Sequence, residues 1–114
     1  MEKPYFVYIL RLSNGSLYTG YTDDVLKRLR AHCSGKGSKV ARSFPPRKIE
    51  RVWKTESRSS ALRLEAMIKR CSREEKERFV RKPSELIREA VRGGRIDGDI
   101  EVAREFSRVK MPCT

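Results

Sequence analysis

The sequence predicts an α/β fold: a β-hairpin and a third strand in a small three-stranded sheet, mixed or antiparallel, flanked by helices. Three observations carry this. Tyr5-Phe6-Val7-Tyr8-Ile9-Leu10 is an almost unbroken apolar and aromatic run, and Ser13-Asn14-Gly15-Ser16 after it is a turn signal leading into a second strand-like run, Leu17 to Thr22. Ile49 to Lys54, with Val52 and Trp53, repeats the strand composition. Ala61, Leu64, Ile68 and Cys71 then fall three or four apart, the spacing of a helix with one buried face. At 114 residues there is room for one compact domain and an appendage. We divide the chain into a domain over residues 1–83 and a short helical C-terminal extension over 84–114.

Taken in order, the hairpin has two possible registers. A two-residue Asn14-Gly15 turn sets Tyr8 opposite Tyr21 and sends Tyr18 to the other face. A three-residue loop with Gly15 left-handed in a G1-type bulge instead pairs Tyr18 with Leu10 and places Tyr8 and Tyr18 on one face. A site that uses both tyrosines, as the family resemblance described below implies, requires the bulged turn, which we expect. A helix follows, capped by Thr22 or Asp23, with Asp24 in its first turn, Val25, Leu26 and Leu29 as its apolar stripe, and an end near His32. Residues 33 to 46 read as a basic loop, since Ser34-Gly35-Lys36-Gly37-Ser38-Lys39 lacks periodicity and Phe44-Pro45-Pro46 forbids helix. Ser57 to Ser60 offer caps for the helix through Ala61 and Ile68. Ser72-Arg73-Glu74-Glu75 matches a capping box that opens a further helix to about Arg81, which Pro83 ends. Two short amphipathic helices are expected around Leu86 to Val91 and Ile100 to Val109.

Twenty-seven Lys and Arg against 15 Asp and Glu give a net charge of +12, which calls for a polyanionic partner. The excess is local. Residues 1–83 hold 21 basic and 9 acidic side chains and residues 84–114 hold 6 of each, while residues 27–54 carry ten Lys or Arg and one acid, Glu50. Cys33, Cys71 and Cys113 form no C-x-x-C pair and have one histidine to help them, which argues against a zinc finger or a disulfide scaffold. No apolar run approaches a membrane span, and the N-terminus shows no signal-peptide core. We therefore expect a cytoplasmic protein with reduced thiols and no membrane partner.

Several residues stand out chemically. Glu65 falls on or beside the stripe that should be buried, and a buried carboxylate needs a metal or a partner; the alternative is a surface pair with Lys69. Arg28 and His32 emerge on one helix face, with the Arg28 guanidinium suited to phosphate oxygens. Tyr8 and Tyr18 are strand aromatics whose hydroxyls need partners if buried.

In this order and spacing, the residues resemble the GIY-YIG nuclease superfamily. Phe6-Val7-Tyr8 and, ten residues on, Tyr18-Thr19-Gly20 stand where its paired tripeptides stand, followed by Arg28, His32 and Glu65. Tyr8-Ile9-Leu10-Arg11, Leu17-Tyr18-Thr19-Gly20, Gly35-Lys36-Gly37 and the stretch Ala61 to Lys69 resemble its small single-domain bacterial and archaeal members over residues 5–83. Phe6, Val7 and Thr19 depart from the usual glycine and isoleucines, while the tyrosines and Gly20 match. The resemblance implies that the third strand lies beside the hairpin. It further implies a divalent-metal-dependent endonuclease cleaving nucleic acid, DNA foremost, in repair or recombination. Glu65 would hold Mg²⁺ or Mn²⁺, Arg28 would stabilise phosphorane-like charge, Tyr8 would take the proton from water, His32 would accept from that phenol, and Tyr18 would orient the water or the phosphate. Lys36, Lys39, Arg42, Arg47 and Lys48 would line the sugar-phosphate path, six such contacts costing about a thousandfold in affinity between 50 and 200 mM salt. A protein partner or a homodimer is compatible with so small a chain. The rival readings are a non-catalytic nucleic-acid-binding module on the same fold and a structural basic protein.

Overall fold

In the computed structural model, described for residues 3–94, 96 and 98–112, the elements run β1 (Tyr5–Leu12), β2 (Leu17–Thr22), α1 (Val25–Cys33), α2 (Lys39–Ser43), β3 (Pro46–Thr55), α3 (Arg58–Lys69), α4 (Arg73–Arg81), α5 (Pro83–Arg92), β4 (Ile100–Val102) and a 3₁₀ turn at Arg104–Phe106. The sheet is antiparallel, in the order β2-β1-β3-β4. The α/β class holds, with four strands in place of the three expected.

The hairpin adopts the bulged register. Leu10 faces Tyr18 and Tyr8 faces Gly20. Gly15 has φ +86° and donates its N–H to the Leu12 carbonyl at 2.9 Å, while Leu12 N–H reaches the Ser16 carbonyl at 2.9 Å. These two bonds close the three-residue loop that returns Tyr8 and Tyr18 to one face.

Alternation along β1 divides the interior in two. Val7 and Ile9 join Trp53, Ala61, Leu64, Ile68, Phe79, Leu86 and Ala90 beneath α3, α4 and α5. Tyr8, Leu10 and Leu12 pack on the opposite face with Val25 and Leu29 of α1, Ile49, Val52, Ala103 and Met111. The central strand is thus buried on both sides, as its unbroken apolar run requires. Ser57 caps α3, and Ser72 with Glu75 forms the expected capping box of α4. An extra residue in β3, Glu50, sits at the bulge between the Ile9–Arg51 and Leu10–Ile49 pairs. There Arg11 joins it at 2.8 Å and Glu77 of α4 at 2.7 Å, pinning α4 to the sheet and holding the Glu77 carboxyl below the usual carboxylate range.

Five expectations need correction. Asp24, not Thr22 or Asp23, caps α1 by accepting from Lys27 N–H at 3.1 Å. Leu26 is exposed and so lies off the buried stripe. The supposed loop contains α2, because Lys39 to Ser43 is a Gly- and Pro-free stretch long enough for one helical turn, with Arg42 N–H bonding the Ser38 carbonyl at 3.1 Å. Ile100–Val102 is a strand: the β-branched Ile100 and Val102 extend the sheet against Thr55 and Trp53, leaving only the 3₁₀ turn of the second C-terminal helix. Finally, Cys33 is disulfide-bonded, against the expectation of reduced thiols, while Cys71 is free; Cys113 lies outside the described residues. No helix among the described residues is long and apolar enough to cross a membrane.

Candidate active site

β2 is an edge strand, and Gly20 on it lies directly opposite Tyr8. A Cβ at Gly20 would overlap the Tyr8 hydroxyl, so only glycine lets that ring lie across β2 toward the edge of the sheet. This gives Gly20 a physical reason. Tyr18, two residues earlier, brings its ring to 6.5 Å from Tyr8 and 5.3 Å from His32.

His32 closes the cluster from α1. Its Nε2 is 2.9 Å from the Tyr8 hydroxyl, and its ring is 1% exposed. Burial, reinforced by the neighbouring Arg28 charge, pushes the imidazole pKa down to about 4, so the ring is neutral at physiological pH. Its Nδ1 is buried without a hydrogen-bond partner. Gly37 lies close against this ring, since a Cβ there would overlap the imidazole.

Arg28, one turn before His32, interacts with the hydroxyls of Tyr8 and, more weakly, Tyr18, and these contacts raise its own pKa. Its buried Nε lacks a partner. Burial pushes the Tyr8 phenol up to about 12, and Arg28 opposes that rise. Glu65 lies on α3, which packs on β2, near enough for its charge to act on Tyr8. The Glu65 side chain is 14% exposed, and its one ion pair among the described residues, to Lys69, is long at 3.7 Å. The surface-pair alternative is therefore present but weak, leaving most of the carboxylate's bonding capacity unused.

The structure thus brings Tyr8, Tyr18, Arg28, His32 and Glu65 around one edge of the sheet from β1, β2, α1 and α3. Lys36, Lys39 and Arg42 are exposed on α2 and the loop before it, which pack against α1; Arg47 and Lys48 are exposed at the start of β3. Lys48 is the one of these five with an acidic partner among the described residues, Glu50 at 3.2 Å. Sequence reasoning missed Gly37, although the Gly35-Lys36-Gly37 string was its signal.

The described residues hold no group of three or more His, Cys, Asp or Glu side chains able to ligate a metal. That excludes a closed zinc-type cage there. The carboxylate that α3 offers is Glu65, a hard oxygen donor of the kind a divalent ion such as Mg²⁺ would take together with water and substrate phosphate.

The GIY-YIG catalytic domain family matches residues 4–78. The chain belongs to the GIY-YIG family. The UPF0213 protein FN1575 of Fusobacterium nucleatum is 44% identical over 85 residues, covering 75% of this chain and 85% of that protein. The UPF0213 protein BH0048 of Halalkalibacterium halodurans is 43% identical over 76 residues, covering 67% and 81%. The solution NMR structure of that protein, from Bacillus halodurans, shares 43% identity over 68% of this chain and 82% of the other, with a TM-score of 0.46. A GIY-YIG domain implies nuclease-type function and contact with nucleic acid, and it fits the net charge of +12.

Proposed function

We propose that the protein is a divalent-metal-dependent endonuclease that hydrolyses phosphodiester bonds, DNA being the foremost substrate and repair or recombination the setting. The observation that carries this is the convergence of a sequestered, under-used carboxylate, a half-buried arginine and a buried tyrosine–histidine pair at one sheet edge in a strongly basic chain.

Glu65 would hold Mg²⁺ or Mn²⁺. When bound, the cation neutralises charge on the phosphate and the leaving oxygen and adds the positive potential that ionising Tyr8 needs. Arg28 has donors to spare for the equatorial phosphate oxygens and stabilises the charge that gathers there. Tyr18 borders the cluster without being fully buried and orients the water or the phosphate. Tyr8 takes the proton from the attacking water, acting as phenolate. With its pKa near 12 in the free protein, that form is scarce at neutral pH, and the cleavage rate should rise with pH through the neutral and mildly alkaline range.

His32 bears on Tyr8 through the contact between its Nε2 and the phenol oxygen. A neutral imidazole carries one proton. On Nδ1 that proton has no acceptor among the described residues; on Nε2 it bonds the Tyr8 oxygen at 2.9 Å and leaves the Tyr8 hydroxyl proton without one. While Tyr8 is the phenol, its hydroxyl proton needs an acceptor and Arg28 beside it can only donate, so Nε2 of the neutral ring accepts from Tyr8, as the resemblance implied. Once Tyr8 is the phenolate, Arg28 stabilises its charge, and a ring carrying its proton on Nε2 would donate to it.

The test is cleavage of end-labelled single-stranded, duplex, flap and four-way DNA, and of RNA, with Mg²⁺ or Mn²⁺, by wild type and by Glu65→Ala. Metal-dependent cleavage lost in the variant while binding persists supports the proposal. Salt-sensitive binding with no cleavage of any substrate would favour the non-catalytic binding module, and equal cleavage by both proteins would remove Glu65 from the site.

A further inference from the structure

Four large hydrophobic side chains are exposed among the described residues, and two of them, Val40 at 51% and Phe44 at 42%, belong to α2 and the residue that follows it. Phe44 N–H bonds the Val40 carbonyl at 2.9 Å, continuing the helical turn and setting the two side chains on the same side. Their surroundings are cationic. Residues 27–48 contain eight Lys or Arg and no acid, and Lys36, Lys39, Arg42 and Arg47 are exposed without an acidic partner among the described residues. The patch is also close to the candidate active site, since α2 packs against α1 and Gly37, just before α2, lies against the His32 ring.

A surface that is both apolar and densely cationic fits a polyanion with flat apolar faces to offer. In an intact duplex the base faces are already covered by their neighbours, so an apolar side chain finds them only where the strand is unstacked. An anionic lipid surface has the same general chemistry, but nothing in it would explain why the patch adjoins the tyrosine–histidine cluster. We propose that Val40 and Phe44 form an apolar step for unstacked nucleobases, so that the preferred substrate is single-stranded or locally unpaired beside the cut. This rests on the nuclease reading and narrows its substrate.

The experiment is fluorescence anisotropy of a labelled single-stranded DNA oligonucleotide and of its duplex, in EDTA, with wild type, Phe44→Ala, Phe44→Trp and Val91→Ala. Phe44→Ala should weaken single-strand binding about tenfold, the scale of one base–aromatic stack, with less than about a twofold change on the duplex. Phe44→Trp should keep wild-type binding, with its indole emission altered by the single strand. Val91→Ala removes an exposed apolar side chain elsewhere and should change neither affinity. Equal loss on both DNAs, no loss on either, or loss confined to phosphatidylserine-containing vesicles would overturn the proposal. Neither metal nor turnover enters the measurement, so a failure to cleave would count against the nuclease reading alone.

Discussion

The two faces of β1 are built from neighbouring residues and do different work. Val7 and Ile9 enter an interior that is apolar throughout and closed by α3, α4 and α5. Tyr8, between them, enters an interior where a hydroxyl, a neutral imidazole and a guanidinium are packed together with unspent donors. Apolar packing needs volume and shape alone, and many side chains satisfy it. The polar face needs particular atoms at particular distances, and it is held there by two glycines, Gly20 under the Tyr8 hydroxyl and Gly37 against the His32 ring. The difference teaches that strength and reactivity are set on opposite sides of one strand.

Substitutions that separate the faces give the largest expected effects. Tyr8→Phe should cut cleavage by roughly 10²- to 10⁴-fold, the contribution of a general base. Ile9→Ala should leave cleavage within about twofold below its melting temperature while costing about 2–5 kcal/mol in urea unfolding. Equal loss of both properties in both variants would erase the distinction. Gly20→Ala comes next: the added methyl displaces the Tyr8 hydroxyl, so cleavage should fall more than stability, measured side by side. Gly15→Ala, strained by its φ of +86° but with open space around it, should cost about 1 kcal/mol and little activity.

A smaller effect is expected from pH. His32 has its folded-state pKa lowered from 6.5 to about 4, so between those values the unfolded chain binds a proton that the folded one refuses. Stability should therefore fall on acidification from pH 6.5 toward 4, and a His32→Gln variant should show a flatter profile in urea midpoints. The smallest effect has no energetic readout. Long-range ¹H–¹⁵N correlation of the His32 ring at pH 7.5, where Tyr8 is the phenol, should show Nε2 bare and accepting from Tyr8; Nε2 protonated would make His32 the donor instead.

Much of this was legible in the residues. Asn14-Gly15 left two registers open, since a strand's period of two gives two choices of face, and the family resemblance, which joins Tyr8 with Tyr18, selected the bulged one. The α4 capping box and the stripe of α3 are local signals and were read as such. β4 was not legible. Ile100-Glu101-Val102 is three residues long, and its pairing with β3 depends on a partner far away in sequence. The short α2 was hidden by the glycines before it and the prolines after it. At the site, residue types and spacing indicated which side chains meet, but that Gly37 lies against the His32 ring depends on how the chain after α1 folds back, which the Gly35-Lys36-Gly37 string does not state.

The most direct measurement is Glu65→Gln, which keeps the shape of the side chain and removes its charge, followed by both urea unfolding and Mg²⁺-dependent cleavage. The proposed site requires cleavage to collapse while the unfolding free energy stays within about 0.5 kcal/mol, since the pair with Lys69 contributes little. Wild-type cleavage by Glu65→Gln, or a loss of cleavage matched by loss of the fold, would contradict it.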